Sequence, residues 1–87
     1  MATELQQTFN QITTQVFNEL VSANRKFMAQ FNSDHEGYAV IKEELEEVWD
    51  EIKKDNHKLA REEMTQVAAM AVKFIYSSLM REGDDAQ

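Results

Sequence analysis

The segment EELEEVWDE, residues 43–51, places six carboxylates among nine residues of an 87-residue chain whose formal net charge is -7. Like charges on neighbouring helical turns repel one another, so the segment is either a solvated face or a set of ligands for a cation. On a helix, Glu44, Glu47 and Glu51 would form one stripe beside the apolar face. The other acids of the segment, Glu43, Glu46 and Asp50, fall roughly opposite and are expected to face water.

A further carboxylate, Glu63, shares the apolar sector of a later predicted helix with Ala60, Met70 and Phe74. A carboxylate on a core-facing sector is costly unless it is paired, protonated or bound to a metal. Two helices whose acids border one groove are suited to a hard cation such as Mg²⁺, which takes oxygen ligands. The alternative interpretation is that these acids face water or pair with basic residues, namely Lys42, Lys53, Lys54, Lys58, Arg61 and Lys73.

Three more side chains near these acids are candidates for ligand binding. Gln66 and Lys73 continue along the edge of the helical surface that carries Glu63. Lys73 either reaches a phosphate or extends its ammonium group from an apolar helix to water. Trp49 either stacks on a nucleobase or packs at the border of its helix's core stripe, and its position favours packing.

The elements that must position these residues are three long helices. In the first, apolar residues recur every three or four positions and form one stripe. The predicted stripe comprises Leu5, Phe9, Ile12, Val16, Leu20, Ala23, Phe27 and Phe31. The helix is expected to end near FNSDHEG, because Asn, Ser and Asp favour local side-chain bonds, and Ser33 with Glu36 is typical of a capping box.

The second and third helices follow the same reasoning. A narrow apolar stripe predicts the second helix, and Asp55 or Asn56 is expected to cap the third. The third helix is predicted from Leu59 to Met80, with Gly83 as its stop signal and residues 83–87 as a disordered tail. The stripe of the second helix comprises Tyr38, Ile41, Leu45, Val48 and Ile52.

The expected fold is all-α, an antiparallel bundle of three main helices in a single domain over residues 1–82. The middle of the third helix, QVAAMAVKFIY, is apolar around most of its circumference, so one partner surface cannot cover it. Either this helix packs between the other two, or the bundle is completed by homo-oligomerisation. We expect association into a homodimer or homotetramer, which would also enlarge a core that is small for a chain of this length.

Composition narrows the function classes. The absence of Cys excludes disulfides, thiolate metal sites and cysteine nucleophiles. A pI near 4.7 argues against binding to nucleic-acid polymers or anionic membranes, because both favour basic patches. The N-terminal residues carry Glu4 and no apolar region typical of a signal peptide, so a soluble cytoplasmic protein is expected.

The acidic pattern resembles that of the MazG-like branch of the all-α nucleoside triphosphate pyrophosphohydrolases. That family carries E-E-x-x-E on one helix and E-x-x-D on the next. Here EELEE supplies Glu43, Glu44 and Glu47, and EMTQ supplies Glu63 with Gln66 in the place of the Asp. The resemblance covers about residues 31–80, most of the chain.

The resemblance implies that Glu44, Glu47 and Glu63 coordinate Mg²⁺, or Mn²⁺, with Gln66 as a fourth ligand position. The ion would hold a nucleoside triphosphate while water, activated by Glu43 or Glu47 as general base, releases pyrophosphate and a nucleoside monophosphate. Substrate contacts are expected from Lys73 and Trp49. Gln66 brings no negative charge, so a bundle that kept the fold but lost activity and serves as an interaction module remains the alternative.

Overall fold

A computed structural model describes residues 2–85 as three α-helices: α1 (Ala2–Lys26), α2 (Asp34–Lys53) and α3 (His57–Asp85). No strand occurs in that range. The predicted all-α class and the number of main helices are confirmed. Short connections, residues 27–33 and 54–56, join the helices.

The start of α2 is fixed by local side-chain hydrogen bonds. Ser33 is the N-cap, and its Oγ accepts a 3.1 Å hydrogen bond from the Glu36 backbone N–H. The Glu36 carboxylate accepts from the backbone N–H of Asn32 at 3.3 Å and from its side-chain amide at 3.0 Å. In a capping box the Glu36 side chain would accept from the backbone N–H of the N-cap, Ser33. Here it accepts instead from Asn32, the residue before the N-cap.

Asp55 and Asn56, the two residues predicted as possible caps of α3, have different roles in the turn between α2 and α3. Asp55 has a φ of 57°, the left-handed conformation that ends a helix and that Asp tolerates better than most residues. Asn56 caps α3, since its Oδ1 accepts a 3.2 Å hydrogen bond from the Leu59 N–H. The third helix therefore begins two residues before the predicted start.

The end of α3 differs from the prediction. The helix continues through Gly83 to Asp85, so the expected stop at Gly83 is wrong. Gly83 has no positive φ, and without a left-handed residue the glycine costs a helix only about 1 kcal/mol relative to Ala. Of the predicted tail, residues 86 and 87 lie outside the described part of the chain.

Helix α3 packs against both α1 and α2, whereas these two share no close backbone contact within residues 2–85. Its apolar surface is therefore covered in part, from two sides, within one chain, as one of the two interpretations of the sequence predicted, while Val72, Ile75 and Leu79 stay exposed. The core consists of Phe31, Ala69 and Met70. Partly buried residues pack around it, namely Val16, Leu20, Ala23, Val40, Ile41 and Phe74.

Four of the eight residues of the first predicted apolar stripe and three of the five residues of the second are exposed. On α1 the stripe residues before Val16 are exposed. Phe27, which follows the helix, is exposed as well. The assignment of these stripe residues to the core is therefore wrong for the single chain. Of the predicted α2 stripe, Val48 is buried and Ile41 is half-buried. The exposed members of the two stripes are Leu5, Phe9, Ile12, Phe27, Tyr38, Leu45 and Ile52. No helix within residues 2–85 combines the length and apolarity required to cross a bilayer.

The connection between α1 and α2 is held on α3 by polar contacts. The buried Phe31 N–H donates a 2.9 Å hydrogen bond to Ser77 Oγ, which itself donates to the Lys73 carbonyl at 2.7 Å. Arg81 donates to the Phe31 carbonyl at 3.1 Å and pairs with Asp34. The start of α2 is thereby fixed beside the last part of α3.

Candidate metal centre

Three of the predicted ligands converge between α2 and α3. One carboxylate oxygen from each of Glu44, Glu47 and Glu63 lies within 4.8 Å of the other two. Glu44 and Glu47 are one turn apart on α2, and Glu63 lies in the second turn of α3. Residues separated by up to 19 positions in the chain are thus brought to one point by the packing of two helices. We call these three residues the carboxylate cluster.

No basic residue within residues 2–85 forms an ion pair with the carboxylate cluster. The ion pairs of the helix surfaces lie elsewhere: Lys53 is 3.4 Å from Asp50, and Lys54 is 3.6 Å from Glu51. Pairing with lysine or arginine, the alternative interpretation of the sequence, therefore accounts for Glu51 but not for the cluster.

Burial and mutual repulsion make the cluster unfavourable when it is fully ionised. Burial raises the pKa of Glu44, and the charges of Glu47 and Glu63 raise it further. Burial is also the largest cause that raises the pKa of Glu63, and the proximity of Glu47, through hydrogen bonding and its charge, raises it further. A proton or a cation would relieve both effects.

The donor set fits a divalent cation. Glu44 Oε2 and Glu63 Oε2 are buried and have no hydrogen-bond partner among the described residues, although buried polar atoms normally have one. Mg²⁺ and Mn²⁺ prefer oxygen ligands, and Mg²⁺ usually keeps several waters beside one or two carboxylates. Three carboxylates on two rigid helices would leave coordination positions open for a phosphate.

A cavity of about 470 Å³ lies among the three helices beside the carboxylate cluster. Glu44 belongs to both, so the cluster borders the cavity directly. The wall combines apolar side chains, including Val40 and Met70, with the polar groups of Gln66 and Lys73. Such a mixture, mainly apolar with a few polar groups, is typical of small-molecule sites.

Lys73 lines this cavity, and its side chain has an environment that is unusual for a lysine. Its side chain is only 4% exposed, and its Nζ lies 4.7 Å from the centre of the Phe31 ring. Burial lowers the pKa of Lys73, and the negative charge of Glu36 partly opposes that effect. The nearly buried side chain leaves little of Lys73 to extend to water, and contact of this residue with a phosphate stays a prediction.

The remaining predicted site residues lie in different places. Gln66 is half-buried at the cavity wall, near Glu44. Glu43 is exposed on α2, next to the cluster in sequence. Trp49 is 57% exposed and does not line the cavity; its ring instead lies 5.9 Å from Lys53 Nζ. The expectation that Trp49 packs in the core is wrong for the single chain.

Two residues that line the cavity, Phe31 and Glu36, are not among the predicted site residues. Phe31 was assigned to the stripe of the first helix, but it lies in the connection before α2 and lines the cavity beside Lys73. Glu36 was assigned only to the cap of α2, yet its carboxylate also borders the cavity. Their positions depend on the docking of the connection onto α3, and no local spacing reveals that contact.

Comparison with protein-family models, curated proteins and solved structures finds no match to this chain. The functional assignment therefore depends on the chemistry of the carboxylate cluster and the cavity.

Proposed function

We propose that this protein is a Mg²⁺-dependent nucleoside triphosphate pyrophosphohydrolase of the MazG-like type, releasing pyrophosphate and a nucleoside monophosphate. The observation that carries the proposal is the carboxylate cluster at the border of a cavity of about 470 Å³. A cavity of this size can enclose a nucleoside, while the cluster provides the ligands for a phosphate-bound cation. The corresponding role would be control of the nucleotide pool in the cytoplasm.

The acids of the site have two roles in this mechanism: they bind the cation and accept a proton from water. Glu44, Glu47 and Glu63 would hold Mg²⁺, or Mn²⁺ in its place. When bound, the ion supplies charge neutralisation for the triphosphate and polarises a phosphoryl oxygen. Glu47, the exposed member of the cluster, or the neighbouring exposed Glu43 accepts the proton of the attacking water.

Gln66 distinguishes this site from the family pattern. Its amide offers an oxygen at the cavity wall but no negative charge, so three carboxylates, and not four, balance the cation. Charge balance of this kind favours a single divalent ion in the protein without substrate, because the cluster offers a second ion no further carboxylate. The amide remains available as a hydrogen-bond donor and acceptor for the substrate.

The proposed assembly is an antiparallel bundle completed by a second copy of the chain. An antiparallel pairing of α2 and α3 is supported by Asp34, at the start of α2, which pairs with Arg81 near the end of α3. Self-association is supported by the accessible surface of 6871 Å², against about 5,300 Å² expected for a compact monomer of this mass. Substrate contact by Trp49 would have to arise in such an assembly, since its ring does not reach the cavity.

Pyrophosphate release from a panel of common, deoxy and damaged nucleoside triphosphates tests the proposed activity. We expect turnover that depends on Mg²⁺ or Mn²⁺ and is abolished in Glu47→Gln, because the variant loses a ligand and a candidate base at once. Glu46→Gln is the matched control, since Glu46 is exposed on the same helix and lies outside the cluster. Turnover of Glu47→Gln at the wild-type rate would refute the assignment.

A second candidate, a helical interaction module without catalysis, is favoured by the amide at Gln66 and by the exposed apolar residues of all three helices. It predicts no pyrophosphate release from any nucleotide. It also predicts at most a small thermal shift with Mn²⁺, equal in the wild type and in Glu47→Gln. Measurements on the wild type and on Glu47→Gln therefore distinguish the hydrolase from the interaction module.

A further inference from the structure

The side chain of Lys73 is nearly buried, and its ammonium group has no hydrogen-bond acceptor among the described residues. Within residues 2–85 it forms no hydrogen bond and no ion pair; it lies 4.7 Å from the centre of the Phe31 ring, and the charge of Glu36 acts on it from beyond ion-pair distance. Burying a cation without an acceptor is costly, and a ring face compensates only in part. Since Lys73 lines the cavity, a ligand in that cavity can supply the missing acceptor.

The phosphates held at the carboxylate cluster are out of reach of this group. Lys73 follows Glu63 by ten residues on one continuous helix, which corresponds to roughly 15 Å along the axis. Both side chains lean toward the helix N-terminus, so their tips keep about the same separation. Gln66 lies between them on the cavity wall. A nucleotide whose phosphates bind at the cluster therefore directs its base, and not its phosphates, toward Lys73.

The chemistry of the Lys73 end defines the kind of base that fits. A lysine ammonium carries three donors and no acceptor, so it binds a carbonyl oxygen and is repelled by an amino group. The cavity walls include the apolar side chains of Phe31, Val40 and Met70, which suit a flat ring, and also the carboxylate of Glu36.

We infer that Lys73 reads the nucleobase and selects bases that present a carbonyl oxygen where adenine and cytosine carry an amino group. The inference rests on the proposed function for the orientation of the nucleotide. It assigns Lys73 to specificity and removes it from the phosphate contacts expected from the sequence. Hypoxanthine, guanine, uracil and thymine have the required oxygen.

Inosine triphosphate and ATP provide a matched pair of probes, because their sugar and phosphates are identical and their bases differ mainly at the carbonyl or amino group. We expect the wild type to prefer inosine triphosphate in kcat/KM by roughly tenfold or more, the usual effect of one hydrogen bond to a charged group. Lys73→Met retains the length and apolar stem of the side chain and should lose that preference. Lys58→Met, an exposed position on the same helix, should keep it.

Inhibition by inorganic tripolyphosphate separates base contact from phosphate contact. We expect the same inhibition constant for the wild type and Lys73→Met, with circular dichroism confirming that the variant is folded. Equal weakening of both nucleotides and of tripolyphosphate would place Lys73 on the phosphates and overturn the inference. Equal use of inosine triphosphate and ATP by the wild type would also overturn it.

Titration of the metal-free protein with inosine and adenosine keeps the inference separate from the proposed function. If no nucleotide releases pyrophosphate but inosine binds more tightly than adenosine in a Lys73-dependent manner, the hydrolase assignment fails and the base recognition stands. If pyrophosphate is released but the protein distinguishes neither inosine triphosphate from ATP nor inosine from adenosine, the hydrolase assignment stands and the role of Lys73 is refuted.

Discussion

At the residue scale, the carboxylate cluster combines two features that oppose ionisation. Glu44 and Glu63 are half-buried, and each lies within reach of two other carboxylates. The protein without metal must therefore either accept the repulsion or take up a proton, while a bound cation removes the conflict. Metal binding and protonation are thus expected to compete at this site.

The stability of the metal-free protein should depend on pH with a sign set by these two residues. Their folded pKa values lie above the ordinary value of 4.5, so the folded state holds more protons than the unfolded state between 4.5 and the raised values. The free energy contributed by the cluster therefore increases as the pH falls through that window and is lost as the pH rises.

Urea unfolding in EDTA at pH 7 and pH 5.5 measures this contribution. We expect Glu63→Gln to be more stable than the wild type at pH 7, because the substitution removes a repelled charge, and the gap should narrow at pH 5.5. Other acids affect both proteins equally, so the difference between the two isolates the cluster. A gap that is unchanged between the two pH values would contradict the coupling.

At the scale of the elements, the connection between α1 and α2 forms part of the cavity wall. Phe31 is fixed by the hydrogen bond to Ser77 and by Arg81, and its ring faces both Lys73 and the start of α2. Gly37 permits this arrangement, since a Cβ there would lie 2.7 Å from Phe74 Cδ2 and 2.9 Å from Phe31 Cδ2. The position of the ring thus depends on one glycine in the first turn of α2.

The two glycines of the chain are expected to respond in opposite ways to alanine. Gly37→Ala should destabilise the protein by about 1–3 kcal/mol, because two aromatic rings must move from a packed position. Gly83→Ala should stabilise it by up to about 1 kcal/mol, since the residue is helical and its Cβ would meet nothing within 4 Å. Thermal and urea unfolding of both variants provide the test. A stabilised Gly37→Ala protein would show that the rings adjust freely.

The boundaries of the helices illustrate what the sequence could predict. Ser33 and Asn56 act through hydrogen bonds to residues three positions away, so their caps follow from local spacing. Gly83 was misread because glycine ends a helix only where the chain adopts a left-handed conformation, and here it does not. Phe31 was misplaced because its partners, Ser77 and Arg81, lie 46 and 50 residues away.

The same distinction applies to the site. The spacing of Glu44 and Glu47 on one helix predicted their common direction, and the apolar sector of Glu63 predicted its burial. That all three meet at one point depends on the packing of α2 against α3, which helical spacing alone cannot specify. Trp49 is exposed because α2 buries a face narrower than its apolar stripe, whereas Lys73 is buried where the connection before α2 docks onto α3.

At the scale of the whole molecule, the three helices are less compact than a typical domain. The radius of gyration is 14.8 Å, against about 12 Å for a compact chain of 87 residues. The accessible surface exceeds the value for a compact monomer by about 1,600 Å², roughly twice the area that one partner buries in a standard interface. In the proposed assembly a second copy of the chain would cover part of this excess surface.

On α3 the uncovered apolar surface includes a stripe with helical spacing, formed by Val72, Ile75 and Leu79. We expect light scattering after size exclusion to give the mass of a dimer or tetramer, because burying such a stripe on each copy is favourable by about 25 cal/mol per Å². Ile75→Glu with Leu79→Glu should lower that mass to one chain and reduce thermal stability. Gln7→Glu with Thr8→Glu adds the same charge at exposed polar positions and should leave the mass unchanged. A wild type that is monomeric at all concentrations would show that this surface has another partner or none, and the bundle would then be complete as one chain.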